Sequence, residues 1–411
     1  MRITGIIAEY NPLHNGHIYH MSEARRLSEA DGIVAVMSGN FVQRGEPALA
    51  DKYLRTKAAL LAGADAVFEL PVRYSCGSAG FFAAGGVSAL DSLAVVDGIA
   101  FGCEDADLEA LKSMAAFLED EPEEYKKLLQ SNMRRGMNFA KARSKALSDV
   151  LSPSASSLLD KPNNILAIEY LRAMSRTGSK LTPYAVARTG KGHNESASFI
   201  RKELEKIQSG SILPSPSLQS MLPAYALEDL SCPLFSDDFS GLLLYRLRLL
   251  TADELTRFED ISPELANSIN KASASAHSFS ELARAVSSRA FTDSRIRRAL
   301  IHILIDLQKK VTADKTAFVT PSSLSVPDGA TPGCPQAHKP EALRLLGFRR
   351  GTKVLRLIQD AAAVPIITKP ADAPDECLTE DILATDIYRL AFFERYKLPL
   401  PDEYRSGPII V

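Results

Sequence analysis

The run from Gly5 to His17, Gly-Ile-Ile-Ala-Glu-Tyr-Asn-Pro-Leu-His-Asn-Gly-His, constrains this chain more than any other stretch. Ile3, Ile6, Ile7 and Ala8 form an apolar run of strand length, Asn11-Pro12 marks a turn, and from Ile18 the apolar spacing becomes helical. His14 and His17 therefore lie where a strand hands over to a helix, with Gly16 allowing backbone to come close to a bound group. A helix start at the carboxyl end of a strand offers an anion free N–H groups and a favourable dipole. Imidazoles placed there can donate to phosphate oxygens as charge develops. The plainer alternative is that the histidines only cap the helix. Two of them flanking a glycine at such a turn favour a phosphate site.

The following segments supply a frame for that turn. Residues 17–30 read as a helix with Ile18, Met21, Ala24 and Leu27 on one face, and Gly32–Ser38 as a second buried strand. Strand, helix, strand at this spacing predicts a βαβ unit and hence an α/β fold with a doubly wound parallel sheet. The polar loop Ser38–Pro47 then follows a strand's carboxyl end, where open α/β sheets bind ligands. Helix 50–62 carries Lys52, Arg55 and Lys57 near its start, where cations oppose the helix dipole. They read equally well as a solvated face or as contacts to an anion or RNA.

Ala64–Pro71, Asp97–Gly102 and Leu181–Ala187 read as three more strands, and the Gly/Ala-rich Cys76–Leu90 as a closely packed helix. Residues 107–147 are helical and charged, with Lys126, Lys127, Arg134, Arg135, Lys141, Arg143 and Lys145; a solvated face explains most of these. Asp160-Lys-Pro-Asn-Asn has the composition of a helix start. After the fifth strand come Arg188 and then Ser196-Ala-Ser-Phe-Ile-Arg201, opening a helix at 197–208. Two serines and an arginine at a helix start fit a second phosphate grip.

With 411 residues, 45% of them apolar, the chain has room for two domains. The Ser/Pro-rich segment 209–223 reads as the linker between them. The expected division is a nucleotide-binding domain at 1–210, with a helical insertion at about 107–160, and a mainly helical C-terminal domain at 211–411. Within the second, 316–340 reads as a flexible loop, Lys353–Ile358 and Val364–Thr368 as two strands, and 379–396 as a final amphipathic helix. Arg295, Arg297 and Arg298 share one turn above an apolar face, which suits a solvated surface or a grip on an RNA backbone.

Totals narrow the classes. A net charge of −2 gives no global basic field, so nucleic acid would need a local patch. No segment approaches the roughly 18 uncharged apolar residues of a membrane span, and no signal-peptide pattern opens the chain; the expectation is a cytoplasmic protein without a membrane partner. The five cysteines are scattered and lack the spacing of a zinc or redox pair, which predicts reduced thiols and no structural metal.

His14-Asn-Gly-His17 matches the His-x-Gly-His signature of the nucleotidyltransferase superfamily, and Ala8–His17 as a whole resembles the bacterial tRNA(Met) cytidine acetate ligases. Pro162-Asn-Asn-Ile-Leu166 is similar to a motif of that family, and Ser196–Arg201 resembles the superfamily's second signature, Ser-x-Ser/Thr-x-x-Arg, which grips the outer phosphates of ATP. Gly192 stands where the family has tyrosine. Pro340–Phe348 resembles a family segment from which Glu341 and Ala342 depart. The likeness runs end to end and is patchier beyond residue 202.

The resemblance implies His14 and His17 as catalytic residues. It implies ATP contacts from Ile7, Ala8, Glu9, Tyr10, Asn11, Pro12, Leu13, His14, Asn15, Gly16, His17, Ile18, Tyr19 and His20, and from Gly102, Asn163, Arg188, Ser196, Ser198 and Arg201, with Asn164 as the alternative to Asn163. It further implies that acetate is activated by ATP, carrying Mg2+, as acetyl-adenylate, and that the acetyl group passes to N4 of the wobble cytidine of elongator tRNA(Met). The residues alone support transfer of AMP by positioning and charge stabilisation. A Gly-x-x-x-x-Gly-Lys-Ser/Thr loop and a nucleophile elbow are both missing. Two alternatives stand beside this reading. A small-cofactor adenylyltransferase would be much shorter, and a non-catalytic RNA-binding protein would not need both phosphate signatures.

Overall fold

In Gly32–Ser38 every residue is buried. Ile33, Ala35 and Met37 enter one core, and Val34 and Val36 the other. A strand covered on both faces needs a continuous apolar run, not an alternating one, which is why this segment is apolar throughout. The computed structural model describes residues 1–137, 139–188, 197–208, 216–228, 230–288, 291–309, 339–374 and 376–411.

Its strands are β1 (Ile3–Ala8), β2 (Gly32–Ser38), β3 (Phe41–Val42), β4 (Glu46–Pro47), β5 (Ala66–Leu70), β6 (Gly98–Cys103), β7 (Thr182–Ala187), β8 (Leu343–Phe348), β9 (Ile366–Ile367) and β10 (Ile409–Ile410). Among the described residues the main sheet has eight strands in the order β10-β8-β5-β2-β1-β6-β7, with β9 on β8. The five strands β5-β2-β1-β6-β7 run parallel. This is the doubly wound α/β sheet expected, with β1 at its centre. One face carries helices Ala79–Ser92 and Pro162–Thr177, the other helices Asn15–Ser28 and Lys52–Leu61. The small residues of Ala79–Ser92 are steric: a Cβ on Gly86 would lie 2.5 Å from Ile7, and one on Gly5 would lie 2.5 Å from Leu90. Substituting either would push helix and strand apart.

Beyond residue 340 the structure differs from the sequence reading. Leu343–Phe348 pairs antiparallel with β5, so the C-terminal part returns to the sheet. Lys353–Ile358, expected as a strand, belongs instead to helix Val354–Ala361, because Val354 and Ile358 both face the core at helical spacing. Part of the expected linker, Pro216–Met221, is helical. The expected loop 316–340 lies outside the described residues apart from Lys339 and Pro340.

A separate helical core gathers around Phe239, Phe258, Phe279 and Tyr388, and it also takes in Phe41 and Val72 from loops at the carboxyl edge of the sheet. Phe41 meets Phe239 edge-on, with ring centroids 5.7 Å apart, and the Tyr388 hydroxyl donates to the carbonyl of Ala48 at 3.0 Å. The helical part therefore grips the loop that follows β2. That loop forms one wall of the site.

Candidate active site

β1 delivers its carboxyl end into a tight turn. Tyr10 has φ 46°, in the left-handed region that a tyrosine occupies only under constraint. Its ring is buried and packs edge-on against His17 at 5.1 Å. Asn11 anchors the turn, its side-chain oxygen accepting from the Leu49 N–H at 2.8 Å.

His14 then occupies the N-cap of helix Asn15–Ser28. Its Nδ1 accepts from the Gly16 N–H at 3.0 Å, and the Nδ1 of His17 accepts from the His14 N–H at 3.2 Å. This is a capping box built from two imidazoles. The rings stack with centroids 3.9 Å apart. Capping and phosphate binding are thus not rival roles for these residues. A neutral imidazole that accepts at Nδ1 carries its proton at Nε2, so each ring caps with one nitrogen and keeps a donor on the other.

Burial, reinforced by Arg188 and Arg201, pushes the His14 pKa down to about 4. Burial holds His17 well below its ordinary value, with His14, His20 and Arg188 adding to the effect. His20 is likewise lowered to about 4, by burial and then Arg188. At neutral pH all three are uncharged donors, and the positive field comes from the arginines.

The other expected residues fall on both sides of this turn. Gly102, at the end of β6, lies beside His20 and Arg188, since a Cβ there would be 3.7 Å from His20 Cδ2 and 3.9 Å from Arg188 Cγ. Arg188 is exposed just past β7, and the buried Nε2 of His20 has no partner among the described residues. Asn164 is fully buried, its Oδ1 accepting from the N–H groups of Glu104 and Asp105 at 3.0 and 3.2 Å and its Nδ2 donating to Asp105 at 2.8 Å. It is committed to holding the β6 end. Asn163 is only half-buried and spends its Nδ2 on Glu104 at 2.6 Å.

Arg201, in the first turns of helix Ala197–Gln208, donates to the carbonyl of Asn11 at 3.0 Å and to the Ser198 hydroxyl at 3.2 Å; Glu46 stands 3.6 Å away. The two phosphate signatures are therefore joined directly. Ser196 and Gly192 lie outside the described residues.

Three basic residues have different roles from those the sequence suggested. Lys52 is buried, with its ammonium 2.8 Å from Glu69 and also paired with Glu403. Arg55 is buried and donates to the carbonyls of Ala50 at 3.0 Å, Glu9 at 2.7 Å and Ser38 at 3.0 Å, and also to that of Gly39. It ties the carboxyl ends of β1 and β2 together, a positioning role the sequence reading missed because these strand-end acceptors lie 16 to 46 residues away in sequence. Arg298, expected on an RNA-binding surface, is buried against Asp260 at 2.9 Å. Arg297 pairs with Asp293 at 2.8 Å, and Arg295 lies over the Phe291 ring and donates to the carbonyl of Asp260 at 3.4 Å; both are half-buried.

Among the described residues no group of three or more His, Cys, Asp or Glu could hold one metal ion, and no helix is long and apolar enough to cross a membrane. The four described cysteines are free thiols.

A doubly wound sheet with a histidine-capped helix start after its central strand, and a serine–arginine helix start facing it, defines a nucleotidyltransferase-type site. The HIGH Nucleotidyl Transferase family matches residues 1–398, and the chain belongs to that family, in its branch of tRNA(Met) cytidine acetate ligases. A protein of that name from Thermoanaerobacter sp. (strain X514) is 40% identical over 95% of this chain and 96% of its own. Another, from Caldanaerobacter subterraneus subsp. tengcongensis, is 38% identical over 95% and 96%. Thermotoga maritima TmcAL, crystallised with alpha-thio ATP, superimposes with a TM-score of 0.85 at 30% identity, covering 100% of this chain and 99% of that one.

Proposed function

We propose that this chain is an ATP-dependent ligase that activates acetate as acetyl-adenylate and passes the acetyl group to N4 of the wobble cytidine of elongator tRNA(Met). The observation that carries the first half is the two-imidazole capping box, which leaves two neutral Nε2–H donors at the start of one helix, with Arg201 joining it to the other. On this reading an acetate oxygen attacks the α-phosphorus and the bond to pyrophosphate breaks. His14 and His17 donate to the α-phosphate as charge builds there. Ser196, Ser198, Arg201 and Arg188 hold the departing pyrophosphate. Gly102, Asn163 and His20 line the nucleoside side, and Asn164 holds the strand end beneath them.

Mg2+ enters bound to ATP, its phosphate oxygens supplying ligands for the ion. The second half, acetyl transfer to tRNA, is supported by the name its relatives carry. On this reading Arg295 and Arg297, half-buried on helix Asp293–Leu304, are the candidate contacts to RNA phosphates.

The test is exchange of labelled pyrophosphate into ATP with and without acetate, followed by incubation with bulk tRNA and nucleoside analysis. Acetate-dependent exchange and acetylcytidine in tRNA are the expected results. Exchange indifferent to acetate would overturn the first half; acetate-dependent exchange without acetylcytidine would overturn the second.

A further inference from the structure

Glu9 is the one acid in the turn after β1, and its side chain faces away from the nucleoside side of the site. Strand order places Gly102 and Arg188 on the β6–β7 side of β1, and the loop after β2 on the other. Glu9 turns to that second side. Its Oε1 accepts from the Gln43 N–H at 2.9 Å, in the hairpin formed by β3 and β4. Its backbone carbonyl is held by Arg55 at 2.7 Å. Oε2 has no partner among the described residues, and the residue is half-buried. The side chain is thus fixed by one oxygen and available through the other.

We propose that Glu9 accepts the proton lost by the N4 amine of the acceptor cytidine during acetyl transfer. The inference rests on the acetyl-transfer reading above. N4 attacks the carbonyl carbon of acetyl-adenylate, the N–C bond forms, and the bond from that carbon to the AMP phosphate oxygen breaks. AMP leaves as the anion, and the N4 proton passes to Glu9 Oε2. An amine whose lone pair is drawn into the cytosine ring becomes a good nucleophile only as that proton departs, so a positioned base is what this step needs. A carboxylate oxygen also complements the N4–H donor edge of cytosine.

The charges around Glu9 fit that work. Burial raises its pKa, as does Glu46; Arg201, the Gln43 N–H and Arg44 oppose the rise. Tyr170 and Cys76 feel its charge and stay protonated at neutral pH, their own pKa values pushed up chiefly by burial. The outcome is a base stronger than an exposed glutamate.

The decisive experiment supplies acetyl-adenylate as a reagent with tRNA, so that activation is bypassed, and follows acetylcytidine in a single turnover between pH 5 and 8. The wild type should show a rate that rises with pH and then levels. Glu9→Gln should slow transfer about 100-fold or more and lose the rising limb, whereas Glu9→Asp should keep the limb at a reduced rate. Equal losses in the two variants, or wild-type rates in Glu9→Gln, would overturn the assignment. Recovery of Glu9→Gln by added Mg2+ would make Glu9 a metal ligand and overturn it as well. A wild type that fails to transfer from the reagent would refute the acetyl-transfer reading itself, and this proposal with it.

Discussion

The guanidinium of Arg201 donates to the main-chain carbonyl of Asn11 at 3.0 Å, across 190 residues of sequence. One hydrogen bond thus aligns the turn carrying the histidines with the helix start that faces it. The same side chain reaches Ser198, so its planar fork spans both signatures. Lysine can neutralise a phosphate but cannot bridge these two acceptors. Arg201→Lys should therefore weaken ATP binding and pyrophosphate exchange by about 10- to 100-fold, the range of a lost charge-assisted hydrogen bond. Titration with an ATP analogue and the exchange rate measure this directly.

The buried histidines give stability a defined pH dependence. His14 and His20 titrate near 4 in the folded protein and near 6.5 when unfolded. The unfolded chain therefore takes up these protons first as the pH drops. Their contribution should be nil above about pH 6.5 and cost stability progressively down to about pH 4, by about 3 kcal/mol for each residue once folded and unfolded forms are both protonated. Urea unfolding across that window tests the slope, and replacing either histidine with glutamine should flatten it.

Lys52 is held between Glu69 and Glu403, and Tyr53 donates to Glu403 at 2.9 Å. The carboxylates keep its ammonium charged despite burial. Removing one member of such a cluster strands the others in a dry site. Lys52→Met should destabilise the protein by about 3 to 5 kcal/mol, seen as a lower midpoint in thermal or urea melts. Because Glu403 belongs to the C-terminal segment, loosening of β10 in hydrogen exchange should accompany it.

Arg298 provides the contrast with a surface cation. Its pairing with Asp260, and the close approach of its backbone to Gly45, place it inside the protein. Arg298→Met should cost about 3 to 5 kcal/mol of stability while leaving the salt dependence of tRNA binding unchanged. Arg297→Gln should do the reverse, reducing the slope of affinity against salt by about one counterion.

How far the site could be read in advance depended on the range of the contacts that build it. The histidine turn was legible because its chemistry is local: His14 and His17 bond to backbone within three residues, and β1, β2 and helix Ala197–Gln208 follow from short periodic patterns. The choice between Asn163 and Asn164 was not legible. Glu104 and Asp105, about 60 residues away, bond both side chains, and only Asn164 is fully buried there.

Sequence by itself determined the parallel sheet, the two phosphate signatures and the ends of the first strands, since periodicity and capping act over a turn or two of chain. Only the tertiary structure decided that β8 returns to pair with β5, that Lys52, Arg55 and Arg298 are interior, and that Glu9 faces the hairpin instead of the nucleoside side. A cation reads as surface by default, because burying it is costly without partners. For Lys52 and Arg298 the partners include Glu403 and Asp260, and for Arg55 they are carbonyls at strand ends that meet only once the sheet has formed.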